Sequence, residues 1–243
     1  MALRLNEELL KILPREAGKK WIFDGYVNQR AGDVAWSKYW PRHVDFTGIA
    51  WDAKRTLTLI TPRHVVMARH YPRKPGDVVN FHDRRGKLVQ RALVGIVALQ
   101  GAHDVAVGIL NEPVPSGVTH YKLLEPADEL HEELLGTLAL VTDGDRLVHV
   151  HECGGGSPDM VRFRYPRSLP KGFYEALITG DSGNPSFVLV RGEPVLLETH
   201  YTGGAGAGPF YGSARIQEGI RAAIAELALS SGGGEYTFST LRP

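Results

Sequence analysis

Short apolar runs separated by Gly, Pro and Asp recur along most of this chain, and this pattern most constrains its fold. Turn residues return about every 8–12 residues, the spacing typical of an all-β sandwich or barrel. About six strands are expected on each side of one central break. The runs lie at 43–53, 55–62, 64–70, 77–83, 88–99 and 104–110, then at 133–143, 146–153, 159–165, 186–201 and 208–214.

The break between the two halves is "NEPVPSGV" at 111–118, which carries two prolines and a glycine. At the start of the chain, Asn6 and Pro14 suggest the N-cap and the end of a short amphipathic helix. Near the end, Ile216, Ile220 and Leu227 recur at helical spacing. We therefore predict a helical extension at 1–20, a first β-barrel at 21–112, a linker at 113–120, a second β-barrel at 121–212 and a C-terminal helix at 213–229.

Composition excludes several classes of partner. The 243 residues carry a net charge of +1, which provides no broad attraction to nucleic acid or to an anionic membrane. No apolar run approaches the roughly 20 residues that a membrane-spanning helix needs. The single cysteine rules out an internal disulfide. We expect a cytoplasmic protein if Met1 is the native start, and a periplasmic or secreted one if a presequence has been removed; oligomeric state stays open.

The stretch "ALITGDSGNPSFVLV" at 176–190 places a serine, Ser182, between glycines. Flanking glycines permit backbone conformations that leave N–H groups free to meet a ligand, although structural turns use the same freedom. A serine nucleophile also needs a histidine base and a carboxylate that orients it. The segments "LITPRHVVMARHY" at 59–71 and "GAHDVAVGIL" at 101–110 supply both residue types.

These three segments resemble, in sequence and in order, the signature blocks of the chymotrypsin-like (trypsin-fold) serine peptidases. The resemblance implies an all-β fold of two antiparallel six-stranded β-barrels, with a C-terminal α-helix laid on the second barrel and, here, a short N-terminal helix. It also implies that Ser182 is the nucleophile and Asp104 the orienting acid, with the backbone N–H groups of Gly180 and Ser182 forming the oxyanion hole.

The base is either His64 or His70. "ITPRH" favours His64 in a short alignment, whereas the longer frame through "LITPRHVVMARHY" makes His70 the base, and we choose His70. Asn184 stands where the family has a second glycine, and Tyr71 where it has a disulfide cysteine. Asp181 has no evident partner, because no segment resembles the freed N-terminus of activated family members.

The resemblance also indicates a substrate pocket. Its floor would be Ala176, and without an acid there a preference for Lys or Arg is not expected. Thr199, His200 and Tyr201 would form the wall, where Tyr201 narrows the pocket and His200 favours an acidic or polar side chain.

A second candidate site is "HVHEC" at 149–153, where His149, His151 and Cys153 share one strand face. Such residues can hold zinc, but no second ligand cluster of fitting spacing is evident. The glycine-rich "GGAGAG" at 203–208 lacks the strand and helix of a dinucleotide site. We therefore expect no metal and no cofactor.

Together these features predict a serine endopeptidase that cleaves a polypeptide substrate through an acyl-enzyme. Two alternatives remain open. One is a catalytically silent binding module of the same fold, and the other is an esterase that uses the same residues. Neither nucleic acid nor a membrane is an expected partner.

Overall fold

The computed structural model describes residues 1–24, 32–51, 55–101, 103–231 and 234–243. Within them the chain is mostly β, with two curled sheets and a helix near each end. The α-helices are α1 (Ala2–Leu10), α2 (Leu130–Glu133) and α3 (Ala214–Ser231). The strands are β1 (Ile49–Ala50), β2 (Leu57–Leu59), β3 (His64–Ala68), β4 (Val78–His82), β5 (Leu88–Ala98), β6 (Val105–Leu110), β7 (Leu123–Leu124), β8 (Leu138–Thr142), β9 (Val148–Ser157), β10 (Met160–Arg164), β11 (Pro185–Val190), β12 (Glu193–Thr199), β13 (Ala207–Pro209) and β14 (Thr240–Leu241).

The first sheet is a nearly closed antiparallel barrel of six strands in the order β1-β2-β3-β6-β5-β4. Its end strands β1 and β4 also contact each other, which brings the sheet round on itself. The strand β5 bends at a bulge between Leu93 and Gly95. Bulges increase local twist, which helps a sheet of six strands to curl into a barrel. The six-stranded first barrel predicted from the sequence is confirmed.

The second sheet is a half-barrel of eight strands in the order β13-β10-β9-β8-β11-β12-β7-β14. Six of these strands follow the antiparallel pattern expected from the sequence. The other two, β7 and β14, are two-residue strands that pair in parallel along the β12 edge. Such short parallel pairs leave no periodic pattern in the sequence, so the additional strands were not predicted.

The N-terminal helix packs on the second sheet, against β8 and β11, through Leu5 and Leu9. It begins at Ala2, so the interpretation of Asn6 as its N-cap is wrong. Asn6 instead lies inside the helix, where its side chain accepts from Leu138 N–H and donates to the Gly136 carbonyl. These two hydrogen bonds fix the helix to the start of β8.

The C-terminal helix α3 packs against β5 and β6 of the first barrel. The resemblance to the peptidases suggested that it would lie on the second barrel, and this detail is wrong. Its apolar face meets Leu99, while Leu227 packs close to Gly95 of β5, where a larger residue would collide with it. The helix thus returns the chain to the barrel that contains the first half of the sequence.

Both sheets contribute to one large apolar cluster, which joins them. Val66 and Val107 of the first barrel and Leu140 and Phe187 of the second belong to it. The ring of Phe187 lies 4.7 Å from that of Tyr121, centroid to centroid. Because the core is continuous, groups on the two barrels keep fixed positions relative to each other. Among the described residues, no helix has both the length and the apolarity to cross a membrane.

Candidate active site

The three residues singled out in the sequence meet where the two barrels face each other. His70 follows the end of β3, and Asp104 directly precedes β6. Ser182 lies in the turn before β11. His70 Nδ1 is 2.6 Å from Asp104 Oδ2, and His70 Nε2 is 2.9 Å from Ser182 Oγ. A continuous hydrogen-bonded chain therefore connects carboxylate, imidazole and hydroxyl.

The pairing of β3 with β6 determines how His70 and Asp104 meet. Ala68 pairs with Val105, which brings the residues just beyond both strand ends together. Asp104 Oδ1 also accepts the backbone N–H of His70 at 2.8 Å, so the carboxylate holds both the backbone and the ring. A carboxylate only accepts hydrogen bonds, so Nδ1 donates and Nε2 of the neutral ring accepts from Ser182. Half of the His70 side chain remains exposed at 49%.

His64, the alternative base, lies elsewhere. It is fully buried at the start of β3, with Nδ1 2.9 Å from Thr61 Oγ1 and its ring against Tyr236. Burial lowers the pKa of His64 to about 4. The ring contacts neither Asp104 nor Ser182, so the longer alignment frame agrees with the observed geometry.

The arginine beside the base supports the loop that leads to Asp104. Arg69 Nη1 donates to the carbonyl oxygens of Gly101 at 3.0 Å and Leu99 at 3.4 Å, and Arg69 N–H donates to the Asp104 carbonyl. These bonds hold the segment before β6 against the end of β3. The guanidinium is thus directed at backbone oxygens.

The turn that carries Ser182 is built on glycines with positive φ, at Gly180 (φ 108°) and Gly183 (φ 86°). A methyl group at Gly183 would lie in van der Waals contact with Thr56 and Ala68 of the first barrel, so the turn packs closely on that barrel. The backbone N–H groups of Gly180 and Ser182 donate no hydrogen bond to any group in the described part of the chain. These are the two donors that the resemblance to the peptidases implies for an oxyanion hole.

Asp181, which had no evident partner in the sequence, is held by backbone amides. Its Oδ1 accepts from Gly144 N–H at 2.9 Å, and its Oδ2 accepts from Ile178 N–H at 2.7 Å. Gly144 belongs to the turn between β8 and β9, far along the chain from Asp181. Nothing in the sequence indicated that this turn contacts Asp181.

Asn184 connects the serine turn to the first barrel, a role that sequence reasoning missed. Its Oδ1 accepts from Thr56 Oγ1 at 2.9 Å, and its Nδ2 donates to the Asp181 carbonyl at 2.9 Å. The residue is fully buried. Asn184 therefore bridges the two barrels beside Ser182.

The four predicted pocket residues differ in environment. Ala176 is exposed and Tyr201 half-buried, while Thr199 and His200 are buried beneath the serine turn. His200 Nε2 is 3.1 Å from the Thr142 carbonyl oxygen, and its Nδ1 is 2.6 Å from Glu198 Oε1. Burial lowers the pKa of His200, but the adjacent Glu198 carboxylate more than offsets this, so that the net pKa is raised. Both His200 nitrogens thus face groups of the protein itself.

The three residues of the second candidate site, His149, His151 and Cys153, are all buried. His149 Nε2 is 2.8 Å from Asp143 Oδ2, and its Nδ1 is 3.0 Å from Lys20 Nζ. Burial raises the pKa of the Cys153 thiol to about 12. In the part of the chain that the structure describes, no group of three or more His, Cys, Asp or Glu residues is placed to hold a metal ion.

No protein-family model matches this chain, and no curated protein matches it in sequence. The arrangement of the side chains therefore carries the functional argument.

Proposed function

We propose that this protein is a serine endopeptidase of the trypsin-like fold, which cleaves polypeptides through an acyl-enzyme. The hydrogen-bonded chain Asp104–His70–Ser182 carries the proposal. The curled six-stranded barrel and the second half-barrel support it, because the histidine and aspartate come from the first and the serine from the second. The proposed reaction uses these side chains, backbone amides and one water molecule.

In the proposed reaction, Ser182 Oγ bonds to the substrate carbonyl carbon while His70 Nε2 takes the hydroxyl proton. The imidazolium is stabilised by Asp104, which accepts from Nδ1. The carbonyl oxygen becomes negative and meets the free N–H groups of Gly180 and Ser182, where each donor contributes about 3–4 kcal/mol in related sites. The C–N bond then breaks, and the leaving nitrogen takes the proton from His70. A water molecule then attacks the acyl-enzyme with His70 again taking and returning the proton, and the carboxylic acid product leaves Ser182.

A silent binding module of the same fold is the main rival. Its support in the sequence was the unpartnered Asp181, Arg69 beside the base and Tyr201 where the pocket should be open. In the structure Asp181 is held by Gly144 and Ile178, while Arg69 donates to backbone carbonyl oxygens. An esterase would use the same atoms and the same steps. Hydrolysis of a peptide amide, compared with an ester of the same acyl group, separates these activities.

Labelling with a small fluorophosphonate tests the proposal. An activated Ser182 Oγ bonds to phosphorus, the P–F bond breaks, and fluoride leaves with the proton. Intact-mass analysis should find one adduct on the wild type, one on Ser116→Ala, whose serine is exposed between β6 and β7, and none on Ser182→Ala. Turnover should fall at least about 1,000-fold in Ser182→Ala. Folded wild-type protein that takes no adduct would contradict the proposal and favour the silent module.

A further inference from the structure

Two backbone segments flank the serine turn and are bonded to each other. The first, at 175–178, leads into the turn, and the second, at 203–206, follows β12. Leu177 N–H donates to the Gly204 carbonyl at 2.8 Å, and Gly204 N–H donates to the Leu177 carbonyl at 2.9 Å. They form an antiparallel bridge outside the named strands. Backbones paired in this way lie roughly 5 Å apart, which is too close for a side chain to pass between them.

A buried histidine connects the same two segments from below. The ring of His151, on β9, is fully buried. Its Nδ1 is 2.7 Å from the Ala205 carbonyl oxygen, and its Nε2 is 3.0 Å from the Glu175 carbonyl oxygen. A neutral imidazole carries one N–H, so the ring donates to one of these two carbonyl oxygens and only packs against the other. The bridge and the buried ring beneath it together limit how far the two segments can separate.

The Leu177 side chain occupies the space below the bridge. It is only 3% exposed. A methyl group added at Gly206 would lie 2.9 Å from Leu177 Cδ1, 3.6 Å from Phe163 Cδ2 and 3.7 Å from His200 Nδ1. These three side chains therefore converge around one glycine. His200 in turn lies directly behind the nucleophile, because its carbonyl accepts from Gly183 N–H.

From this packing we propose that Leu177 closes the primary specificity pocket and restricts the substrate, on the acyl side of the cleaved bond, to Gly, Ala or Ser. The inference rests on the proposed peptidase function. Ala176, the pocket floor that the resemblance implied, belongs to the first segment, so a residue bound at the acyl position would lie against the two segments beside Ser182. A long side chain there meets two paired backbones and the buried Leu177. Admitting it requires breaking the bridge and moving that leucine into water, whereas a methyl group fits above the bridge.

Peptide substrates that differ in one residue test this inference. We expect kcat/KM for cleavage after Ala to exceed that for cleavage after Leu, Phe, Lys or Glu by about 100-fold, within the range that pocket shape gives in other enzymes. Equal or faster cleavage after any of the four larger residues would overturn it.

Shortening the leucine should change this selectivity. Leu177→Ala should raise the ratio of kcat/KM for Leu over Ala substrates by about tenfold, because a long side chain that breaks the bridge then no longer has to displace a buried leucine as well. The matched control is Leu189→Ala, which removes an equally buried leucine from β11 and should leave the ratio as in the wild type. If Leu177→Ala does not fold, Leu177→Val should raise the Val over Ala ratio by about threefold. An unchanged ratio in the folded variant would overturn the role of Leu177.

The small fluorophosphonate, which has no peptide side chain, separates the two proposals. If it fails to label Ser182, the proposed function is wrong. If it labels Ser182 while large and small residues are cleaved equally well, the peptidase function stands and the role of Leu177 is wrong.

Discussion

At the scale of single residues, the neighbours of a side chain decide what it can do. His64 begins strand β3 and His70 lies in the turn after it, yet the surroundings of the two side chains differ completely. His64 is enclosed by the core and Tyr236, and burial lowers its pKa to about 4. His70 lies at the cleft, between a carboxylate and a hydroxyl. Residue type and spacing left both open, and contact with Asp104 and Ser182 distinguishes them.

Replacing each histidine in turn tests this distinction. His70→Ala should abolish turnover, with a loss of about 1,000-fold or more, because Ser182 loses its proton acceptor. His64→Ala should retain most of the turnover of folded protein, although its melting temperature should fall since a cavity is left in the core. Steady-state kinetics at matched folded fraction measure both. The reverse pattern would make His64 the base.

At the scale of elements, the serine turn is positioned by segments distant in sequence. Its glycines give the turn its shape, but the Gly144 N–H of the β8–β9 turn holds Asp181, and Thr56 of the first barrel holds Asn184. The turn is thus fixed from both barrels. A charge-assisted bond from a carboxylate to backbone N–H groups is among the stronger hydrogen bonds in proteins.

Removal of the Asp181 carboxylate should therefore disorder the Gly180 and Ser182 N–H groups, which we propose as oxyanion donors. We expect Asp181→Ala to lower kcat about 100-fold, with a smaller change in KM, and to slow fluorophosphonate labelling similarly. Asp145→Ala is the matched control, because Asp145 is exposed in the turn that contains Gly144. If Asp181→Ala keeps wild-type kcat, the carboxylate has no part in positioning the turn.

At the scale of the whole molecule, the second barrel buries a histidine that makes stability depend on pH. Burial lowers the pKa of His151 to about 4, against 6.5 in an unfolded chain. As the pH falls, the unfolded chain binds this proton first. The free energy of unfolding therefore falls as the pH drops below about 6.5 and levels off below about 4.

The expected contribution of His151 is about 2 kcal/mol of unfolding free energy lost between pH 7 and pH 4.5. Denaturant unfolding of the wild type and of His151→Gln measures it. The variant should be less stable at pH 7, but its decline toward pH 4.5 should be smaller by that amount. An equally steep decline in both proteins would mean that His151 does not titrate in this way.

The sequence by itself determined the features that repeat along the chain and those that depend on a few neighbouring residues. Turn residues at regular spacing predicted the β class, helical spacing near the end predicted α3, and glycines around Ser182 predicted a turn with exposed donors. The order of the histidine, aspartate and serine segments also suggested which residues to compare. Each of these structural features is set by backbone preferences over a few residues. Such preferences can be recognised in the sequence alone.

Only the tertiary structure decided which distant groups meet. It placed α3 on the first barrel, gave Asp181 its partner in Gly144, and paired Leu177 with Gly204 beside His151. It also showed that His70, and not His64, contacts Asp104 and Ser182. The physical reason is that strand register and the packing of one barrel on the other depend on contacts between segments far apart in the chain. Several arrangements of such segments satisfy the same local pattern.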